Sequence, residues 1–345
     1  MAADVDQLVL MVPGLAGPVV DRSVTDYIET RPAALDRLLS RSTVETVPYT
    51  GMEAALCHLF GVPATDAPPV APLSYLADSG RAPAHYLLRA DPVHLRADQS
   101  RLRLFESHGF FITQDEADAL VASINAFNAA QDWQLGALHP QRWYLSLPVA
   151  PDLQTTPPAQ AAGLDIDTLL PRGGDAGRWA AVLNELQMLL HEHPVNQARE
   201  QRGEPVINSL WLWGGGVLPL SVQAGVDAVY ADDALALGLA RHAGIGGHAV
   251  PEYVGDLLSD DTGRNRLLVL DSLAWPAHYN DIEGWLVQLG EMERIWFMPL
   301  QNALHSGRIG SLVIETCNGR RLSTDRKRQR AFWKRMRRFE AVVTG

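Results

Sequence analysis

Runs of apolar residues alternate with amphipathic stretches along this chain. The first run, Gln7–Val12, is almost entirely apolar and ends at Pro13-Gly14, a pattern typical of a strand covered on both faces in a parallel sheet. Four later runs have the same character: Val206–Trp213, Arg266–Asp271, Ile295–Leu300 and Ser311–Thr316. Between the runs, apolar residues take helical spacing over three stretches: Arg178–Leu190, Asp233–His242 and Ile282–Glu293. This alternation predicts an α/β fold with a mostly parallel central sheet flanked by helices.

Two stretches of loop-like composition suggest how the chain is divided. Residues 61–72 are rich in Pro and Ala, and residues 148–177 are rich in Pro, Gly and Asp. We therefore expect a core formed by residues 1–83 and 151–345, with a smaller lobe formed by residues 84–150 inserted into it.

The predicted lobe has an α+β pattern of its own. Val93–Phe105 and Arg142–Leu147 are strand-like, and Gln114–Gln131 has the pattern of a helix. Thr113 is suited to cap that helix, because Glu116 follows three residues later and completes a capping box.

Composition narrows the classes of protein that fit. The chain has 345 residues, of which 47% are hydrophobic and 20% charged, and this balance favours a folded protein over a disordered one. No apolar run approaches the roughly 18 residues of a membrane span, so we expect no membrane partner. The two cysteines, Cys57 and Cys317, lack metal-type spacing, which predicts a reducing, cytoplasmic location.

The charge is distributed unevenly. Residues 320–345 contain ten basic and two acidic residues, a net charge of +8; because the whole chain carries −11, the preceding residues carry −19. If the tail is helical from about Asp325, Phe332, Met336 and Phe339 share one face and the basic residues occupy the other. Two interpretations stay open: the tail packs its aromatic residues on the acidic body, or its basic face binds nucleic acid or an acidic partner.

The most distinctive motif is His193-Pro-Val-Asn-Gln-Ala-Arg199, followed by Gly203 and by Asn208-Ser-Leu-Trp-Leu-Trp-Gly-Gly-Gly216. A strand that ends in three glycines lets the backbone approach a ligand closely and can direct amide groups at an anion. A buried strand with a tight turn is the alternative interpretation. The candidate ligand-binding residues are Asn208, Trp211, Trp213, Gly214, Gly215 and Gly216.

This motif resembles a segment of the archaeal-type cofactor-independent phosphoglycerate mutases, which belong to the alkaline phosphatase superfamily. The likeness continues through Ala231-Asp-Asp-Ala-Leu-Ala-Leu-Gly238. Leu88-Arg-Ala-Asp-Pro-Val-His-Leu95 and Arg142-Trp-Tyr-Leu145 resemble one bacterial branch, the RpfE-type regulatory proteins. The resemblance implies an alkaline phosphatase-like core. In catalytic members it also implies two metal ions that flank the transferred phosphoryl group and activate a Ser or Thr nucleophile.

Most of the implied catalytic residues are missing from this sequence. Pro13 stands where the resemblance implies a metal-binding Asp, and residues 1–326 contain no lysine. Three residual metal-ligand candidates remain, Asp271, His278 and Glu315, and two further candidates for nucleophile or ligand, Thr50 and Asp91. These candidates are too few for the two-metal site of a phosphomutase.

Three functional hypotheses follow. The first is a non-catalytic, regulatory relative of phosphoglycerate mutase that binds a small phosphorylated ligand or a protein and needs no cofactor. The alternative is a metal-dependent phosphomutase or phosphohydrolase that holds Mn²⁺ or Zn²⁺ in a reduced site. The third is a nucleic-acid-linked adaptor that acts through a basic C-terminal helix within residues 320–345.

Overall fold

The fold comprises two compact units, each with its own sheet. The computed structural model describes residues 4–18, 31–63, 67–98, 101–162, 164–331 and 334–344. The first unit comprises Met1–Ala64 and Ser221–Gly345, and the second comprises Thr65–Leu220. Strands and helices are numbered below in chain order.

The first unit is built on a mixed sheet with a parallel centre. Its strands are β1 (Val5–Met11), β2 (Thr43–Thr46), β8 (Ala228–Tyr230), β9 (Gly246–His248), β10 (Asn265–Val269), β11 (Ile309–Glu315) and β12 (Arg320–Asp325). They lie in the order β2-β12-β11-β1-β10-β8-β9. The strands from β11 to β9 are parallel, whereas at one edge β12 pairs antiparallel with β11 and β2 pairs antiparallel with β12. The predicted α/β fold with a mostly parallel sheet is confirmed.

Helices cover this sheet. They are α1 (Ala33–Ser40), α2 (Met52–Leu59), α8 (Ala234–Ala243), α9 (Val254–Ser259), α10 (Ala274–His278), α11 (Ile282–Met292), α12 (Met298–Ser306), α13 (Arg326–Gln329) and α14 (Glu340–Val343). The core is aliphatic and aromatic, with Leu8, Leu10 and Ile314 from the central strands packed in one cluster with Trp285 and Phe297. Burial of this apolar surface is the main stabilising contribution in the unit.

The run Ile295–Leu300 is helical, so its prediction as a strand was wrong. A π-helical turn over Glu293–Phe297 joins α11 to α12. The run is apolar because Trp296, Phe297 and Leu300 are all buried. A short apolar run of this kind does not distinguish a buried helix from a buried strand.

The second unit contains an antiparallel sheet. Its strands are β3 (Tyr86–Asp98), β4 (Arg101–Glu106), β5 (Gln134–His139), β6 (Arg142–Leu147) and β7 (Ser209–Gly216), with β4, β6 and β7 all paired to the long strand β3. Its helices are α3 (Val70–Ser79), α4 (Gln114–Phe127), α5 (Pro158–Ala161), α6 (Ala176–His191) and α7 (Pro194–Gln201). One sheet face, with Leu88, Ala90 and Leu145, shares an apolar core with α4 and α6, whereas Leu87 and Tyr144 on the other face pack with α3.

Several sequence expectations fall in this unit. The capping box of Thr113 and Glu116 is present at the start of α4, and β6 has the predicted bounds. Val93–Phe105, expected as one strand-like segment, spans two antiparallel strands. The run Val206–Trp213 contributes to β7, which pairs antiparallel with β3 instead of joining the parallel sheet. Because of that pairing, the unit extends on both sides of the lobe expected over residues 84–150.

The C-terminal tail is not one continuous helix, contrary to the sequence expectation. The backbone is helical over Arg326–Gln329 and again over Glu340–Val343, and residues 334–338 are not helical. Phe332, expected on the apolar face, lies outside the described residues. Like charges four residues apart, such as Arg326 with Arg330, oppose a continuous helix here.

Among the described residues, no helix is both long enough and apolar enough to cross a membrane.

Candidate functional site

The carboxyl ends of the parallel strands form one edge of the first unit's sheet, the edge at which open α/β sheets bind ligands. Met11 at the end of β1 is in register with Val269 of β10 and Glu315 of β11. The Leu270 amide donates a hydrogen bond to the Met11 carbonyl at 2.9 Å. The chain therefore brings the ends of β1, β10 and β11, and with them the segments of Pro13, Asp271 and Glu315, to one edge.

Glu315 is buried and hydrogen-bonded at this edge. It is 4% exposed, and its Oε2 accepts a hydrogen bond of 3.0 Å from the Tyr49 hydroxyl. Its Oε1 lies 3.4 Å from the Cys317 amide, which donates to it. Burial raises the pKa of Glu315 above its ordinary value, and these two hydrogen bonds only partly oppose that effect. Both oxygens of the Glu315 carboxyl group therefore accept hydrogen bonds from within the protein.

Tyr49, the hydrogen-bond partner of Glu315, belongs to no catalytic motif in the sequence. Burial, followed by the nearby Glu315 carboxylate, raises the pKa of the Tyr49 phenol, so the hydroxyl stays protonated and donates. The tyrosine ring lies 4.6 Å from the His58 ring on α2, centroid to centroid. In the sequence, Tyr49 directly precedes the nucleophile candidate Thr50, but 266 positions separate it from Glu315.

The loops that follow β1 and β10 pack directly against each other. Gly14 has a φ of +80°, and a Cβ atom at this position would lie 2.4 Å from the Leu273 carbonyl oxygen. The Trp285 indole donates a hydrogen bond to the Gly14 carbonyl at 2.9 Å. Pro13-Gly14 therefore forms a packed turn, and neither residue offers a side-chain ligand to a metal ion.

The other candidates at this edge are less enclosed. Asp271 is exposed, and its carbonyl oxygen accepts a hydrogen bond from the Ala274 amide. His278 is half-buried on α10, and burial lowers the pKa of its imidazole, which favours the neutral form that can ligate a metal. Thr50 is exposed beside the β11–β12 turn, where the next residue, Gly51, donates its amide to the Cys317 carbonyl at 2.7 Å.

The donor set at this edge does not fit a pair of divalent metal ions. Among the residues that the structure describes, no three His, Cys, Asp or Glu side chains are grouped closely enough to hold one ion. Two hard cations need several carboxylate or imidazole ligands between them. Of the predicted ligand candidates that lie at this edge, Glu315 already accepts a hydrogen bond from Tyr49, and Asp271 and His278 alone are too few for two ions.

Neither cysteine supplies a reactive thiol. Burial, followed by the nearby Glu53, raises the pKa of Cys57 to about 12. Burial also raises the pKa of Cys317 well above its usual value, and Glu315 and Glu53 add to this effect. Since the thiolate is the nucleophile and the metal ligand, both groups are unreactive near neutral pH.

In the second unit, the polar groups of the proposed ligand strand bind neighbouring segments of the protein. The Asn208 side chain accepts from the Leu95 amide at 2.7 Å and donates to the Leu95 carbonyl at 2.8 Å. The Trp211 indole donates to the Thr156 carbonyl at 2.8 Å. These three side-chain hydrogen bonds hold β7 in place.

Asp91 is the centre of a buried polar cluster. Its carboxylate forms a bidentate ion pair with Arg89, with nitrogen–oxygen distances of 2.8 to 2.9 Å. It also accepts hydrogen bonds from the Trp213 indole at 2.7 Å and from the Trp143 amide at 3.2 Å. With this many donors, the Asp91 carboxylate orients three strands and has little capacity left for a ligand or a nucleophilic role.

The three glycines at the end of β7 are required by packing. Gly214 has a φ of +60°, and a Cβ atom there would lie 2.8 Å from the Val70 Cβ on α3. A Cβ atom at Gly215 would lie 2.3 Å from the Tyr86 hydroxyl, and one at Gly216 would lie 2.7 Å from the Cβ of Pro69. The close backbone approach that the glycines allow is therefore to neighbouring protein segments.

The residues of the first half of the motif, His193–Arg199, also bind neighbouring segments of the protein. His193 caps α7 by accepting a hydrogen bond from the Val195 amide at 3.2 Å. Asn196 donates to the carbonyls of Leu190 and Ile207 and accepts from the Ile207 amide, at 2.7 to 2.8 Å. Arg199, 1% exposed, forms a 2.8 Å ion pair with Glu116. These residues clamp α7 between β7 and α4.

Comparisons with known proteins relate this chain to one group of enzymes. A 2,3-bisphosphoglycerate-independent phosphoglycerate mutase from Methanosarcina mazei is 30% identical over 158 residues, which cover 41% of this chain and 38% of that enzyme. The corresponding enzyme from Methanosarcina acetivorans is 28% identical over 232 residues, 61% of this chain and 55% of that enzyme. The chain therefore matches about half or less of the length of these relatives, and it is a distant homologue of them. No family model matches the chain.

A solved structure supports the fold. The PH0037 protein from Pyrococcus horikoshii superimposes with a TM-score of 0.54 at 16% sequence identity, over 94% of this chain and 88% of that chain. At this level of identity the similarity concerns the fold, and it agrees with the α/β architecture described above. The likeness to RpfE-type proteins stays a prediction.

Proposed function

We propose that this protein is a phosphoglycerate mutase-like protein without mutase activity, which acts in regulation by binding a small phosphorylated ligand or a protein. One observation carries the proposal. Glu315, which ends a central strand where the resemblance implies a metal ligand, is buried and hydrogen-bonded to Tyr49 at 3.0 Å.

Binding a metal ion at Glu315 would cost the free energy of ionising and exposing this carboxyl group. A metal ion at Glu315 would have to displace the Tyr49 hydroxyl and hold an ionised carboxylate in a position where burial favours the neutral acid. Pro13, two residues after the end of β1 at the same edge, has no side-chain ligand to offset that cost. The edge is therefore better suited to packing, or to binding a ligand through neutral groups, than to two-metal chemistry.

The test is an assay for interconversion of 2- and 3-phosphoglycerate by the full-length protein with added Mn²⁺, Zn²⁺ or Mg²⁺. We expect no turnover above the uncatalysed rate. Calorimetric titration with 3-phosphoglycerate as the probe then separates binding without turnover from no binding at all. In the latter case the search for the regulatory partner turns to proteins.

The alternative, a metal-dependent phosphomutase with a reduced site, is supported by the sequence similarity to the mutases. Its ligands and nucleophile would come from Asp271, His278 and Glu315, with Thr50 or Asp91 as a further candidate. It makes the opposite prediction in the same assay: metal-dependent turnover that Asp271→Ala abolishes and that a control at another exposed carboxylate, Asp261→Ala, preserves. Such a result would overturn the proposal.

A further inference from the structure

The C-terminal segment displays a dense set of positive charges. Residues 326–338 contain no acidic residue and eight basic ones: Arg326, Lys327, Arg328, Arg330, Lys334, Arg335, Arg337 and Arg338. All eight are exposed. Four apolar residues near them point the other way, since Ala331, Phe339, Val342 and Val343 are buried.

The segment is anchored to the first unit at defined points. The Phe339 amide donates to Asp36 on α1 at 2.8 Å, and the Phe339 ring stacks on Trp285 with centroids 6.1 Å apart. The Ser40 hydroxyl, also on α1, donates to the Arg337 carbonyl at 3.0 Å and accepts from the Arg337 amide at 2.7 Å. The basic side chains are thus presented from a backbone held against α1.

Helix α1 adds to the same positive surface. Arg37 on α1 and Arg31 just before it are both exposed. The eight basic residues of 326–338, together with Arg31 and Arg37, are called the basic face below. About 290 positions of sequence separate its two parts, and the contacts of Ser40 and Asp36 bring them together.

Little of this charge is neutralised within the protein. In the part of the chain that the structure describes, the carboxylate paired with segment 326–338 is Asp325, whose oxygen lies 3.8 Å from the Arg328 guanidinium. On α1, Asp36 pairs with Arg31. The rest of the chain is strongly acidic, with −19 over residues 1–319, but the basic side chains face outward instead of pairing with it. The surface is available to an anionic partner.

We propose that the basic face binds nucleic acid through its phosphate backbone. Six of its eight tail residues are arginines, whose planar guanidinium group matches phosphate oxygens in bidentate geometry. A protein partner fits less well, because the centre of a protein interface is depleted of charged residues, whereas this face carries a dense set of them. Among the described tail residues 326–331 and 334–338, Met336 is the exposed large apolar side chain. The proposal goes beyond the proposed function and does not depend on it.

The test compares full-length wild-type protein with two triple variants in fluorescence anisotropy titrations of labelled 20-nucleotide RNA and DNA. Lys334→Gln/Arg335→Gln/Arg338→Gln removes three charges from the basic face. Arg81→Gln/Arg172→Gln/Arg308→Gln removes three exposed charges elsewhere. We expect the first variant to bind at least about ten-fold more weakly at low salt and the second to bind within about two-fold of wild type. The slope of log K against log salt should become shallower by about two for the first variant.

Three results would overturn the proposal: no binding of wild-type protein to either oligonucleotide at low salt, equal losses in the two variants, or self-association of the wild type that the first variant alone abolishes. The last result would assign the basic face to a second copy of this chain. Thermal unfolding checks that each variant is folded. If the first variant is not folded, Arg326→Gln/Arg330→Gln, which removes two other exposed charges, should also weaken binding, with a slope shallower by about one and a half.

Discussion

Two regions of this molecule that resemble phosphoglycerate mutases differ in what their residues do. In the second unit, the residues between His193 and Gly216 that carry the likeness are engaged in caps, clamps and close packing. In the first unit, the edge where the implied chemistry would occur has Pro13 and a buried Glu315. The motif residues therefore hold the fold together, and agreement with a family at such positions indicates architecture more than catalysis.

The largest expected effect would follow from removing the centre of the buried cluster in the second unit. Asp91→Ala leaves Arg89 buried without its partner and the Trp213 indole without an acceptor, so we expect a loss of about 3–5 kcal/mol in the free energy of unfolding. Urea denaturation followed by tryptophan fluorescence measures it. Asp132→Ala, which removes an exposed carboxylate 3.7 Å from Arg178, should cost less than about 1 kcal/mol. Equal effects would contradict the structural role assigned to Asp91.

A second prediction tests whether the glycines that end β7 are required for packing. Gly214→Ala forces a non-glycine residue to a φ of +60° with its Cβ 2.8 Å from Val70, so we expect it to destabilise the unit by about 1–3 kcal/mol. Gly177→Ala in α6 is the matched control, because an added Cβ there has no heavy atom within 4 Å beyond its own helix backbone. It should raise the free energy of unfolding by about 0.5–1 kcal/mol. If Gly214→Ala leaves stability unchanged, the glycines are free for a ligand and the packing argument fails.

A smaller effect is expected at the edge of the parallel sheet. Tyr49→Phe removes the hydroxyl that donates to Glu315, and loss of one such hydrogen bond should cost about 1–2 kcal/mol. Chemical denaturation at neutral pH measures the change. Tyr253→Phe, at an exposed tyrosine of the same unit, serves as the control and should be nearly neutral. An equally neutral Tyr49→Phe would mean that the hydrogen bond contributes nothing to stability.

The smallest expected effect is a dependence on pH. Burial raises the pKa of Glu315 in the folded protein above its ordinary value of 4.5, so folding favours the protonated acid. That contribution is full below the unfolded pKa and is lost as pH rises through the folded pKa. Glu315→Gln does not titrate, so the unfolding temperature of the wild type should fall relative to this variant as the pH rises above the ordinary carboxyl pKa of 4.5. A constant difference would show that burial does not perturb the acid.

The sequence predicted the parallel sheet because Gln7–Val12, Arg266–Asp271 and Ser311–Thr316 are apolar on both faces. It failed at Ile295–Leu300, because a short apolar run in a helix that buries Trp296, Phe297 and Leu300 gives the same pattern as a buried strand. It also assigned Val206–Trp213 to the wrong sheet, since the partner β3 lies more than a hundred residues earlier and no local pattern specifies that pairing.

The candidate site was predictable only in part. Glu315 and Asp271 were found because they follow strands that end at one edge. Tyr49 was not, because a hydrogen bond between residues 266 positions apart leaves no periodic or local signal. The basic tail was evident from its composition, whereas its anchoring on Asp36 and Ser40 required the fold.

The measurement that tests the central claim most directly is a Mn²⁺ titration of thermal unfolding in the wild type and in Glu315→Gln. A ligand that binds the folded state raises its stability in proportion to the logarithm of ligand concentration over the dissociation constant. If Glu315 is a buried acid held by Tyr49, millimolar Mn²⁺ should leave both unfolding temperatures unchanged within about 1 °C. A rise of several degrees in the wild type that is absent in Glu315→Gln would show that Glu315 is a metal ligand and would contradict the account.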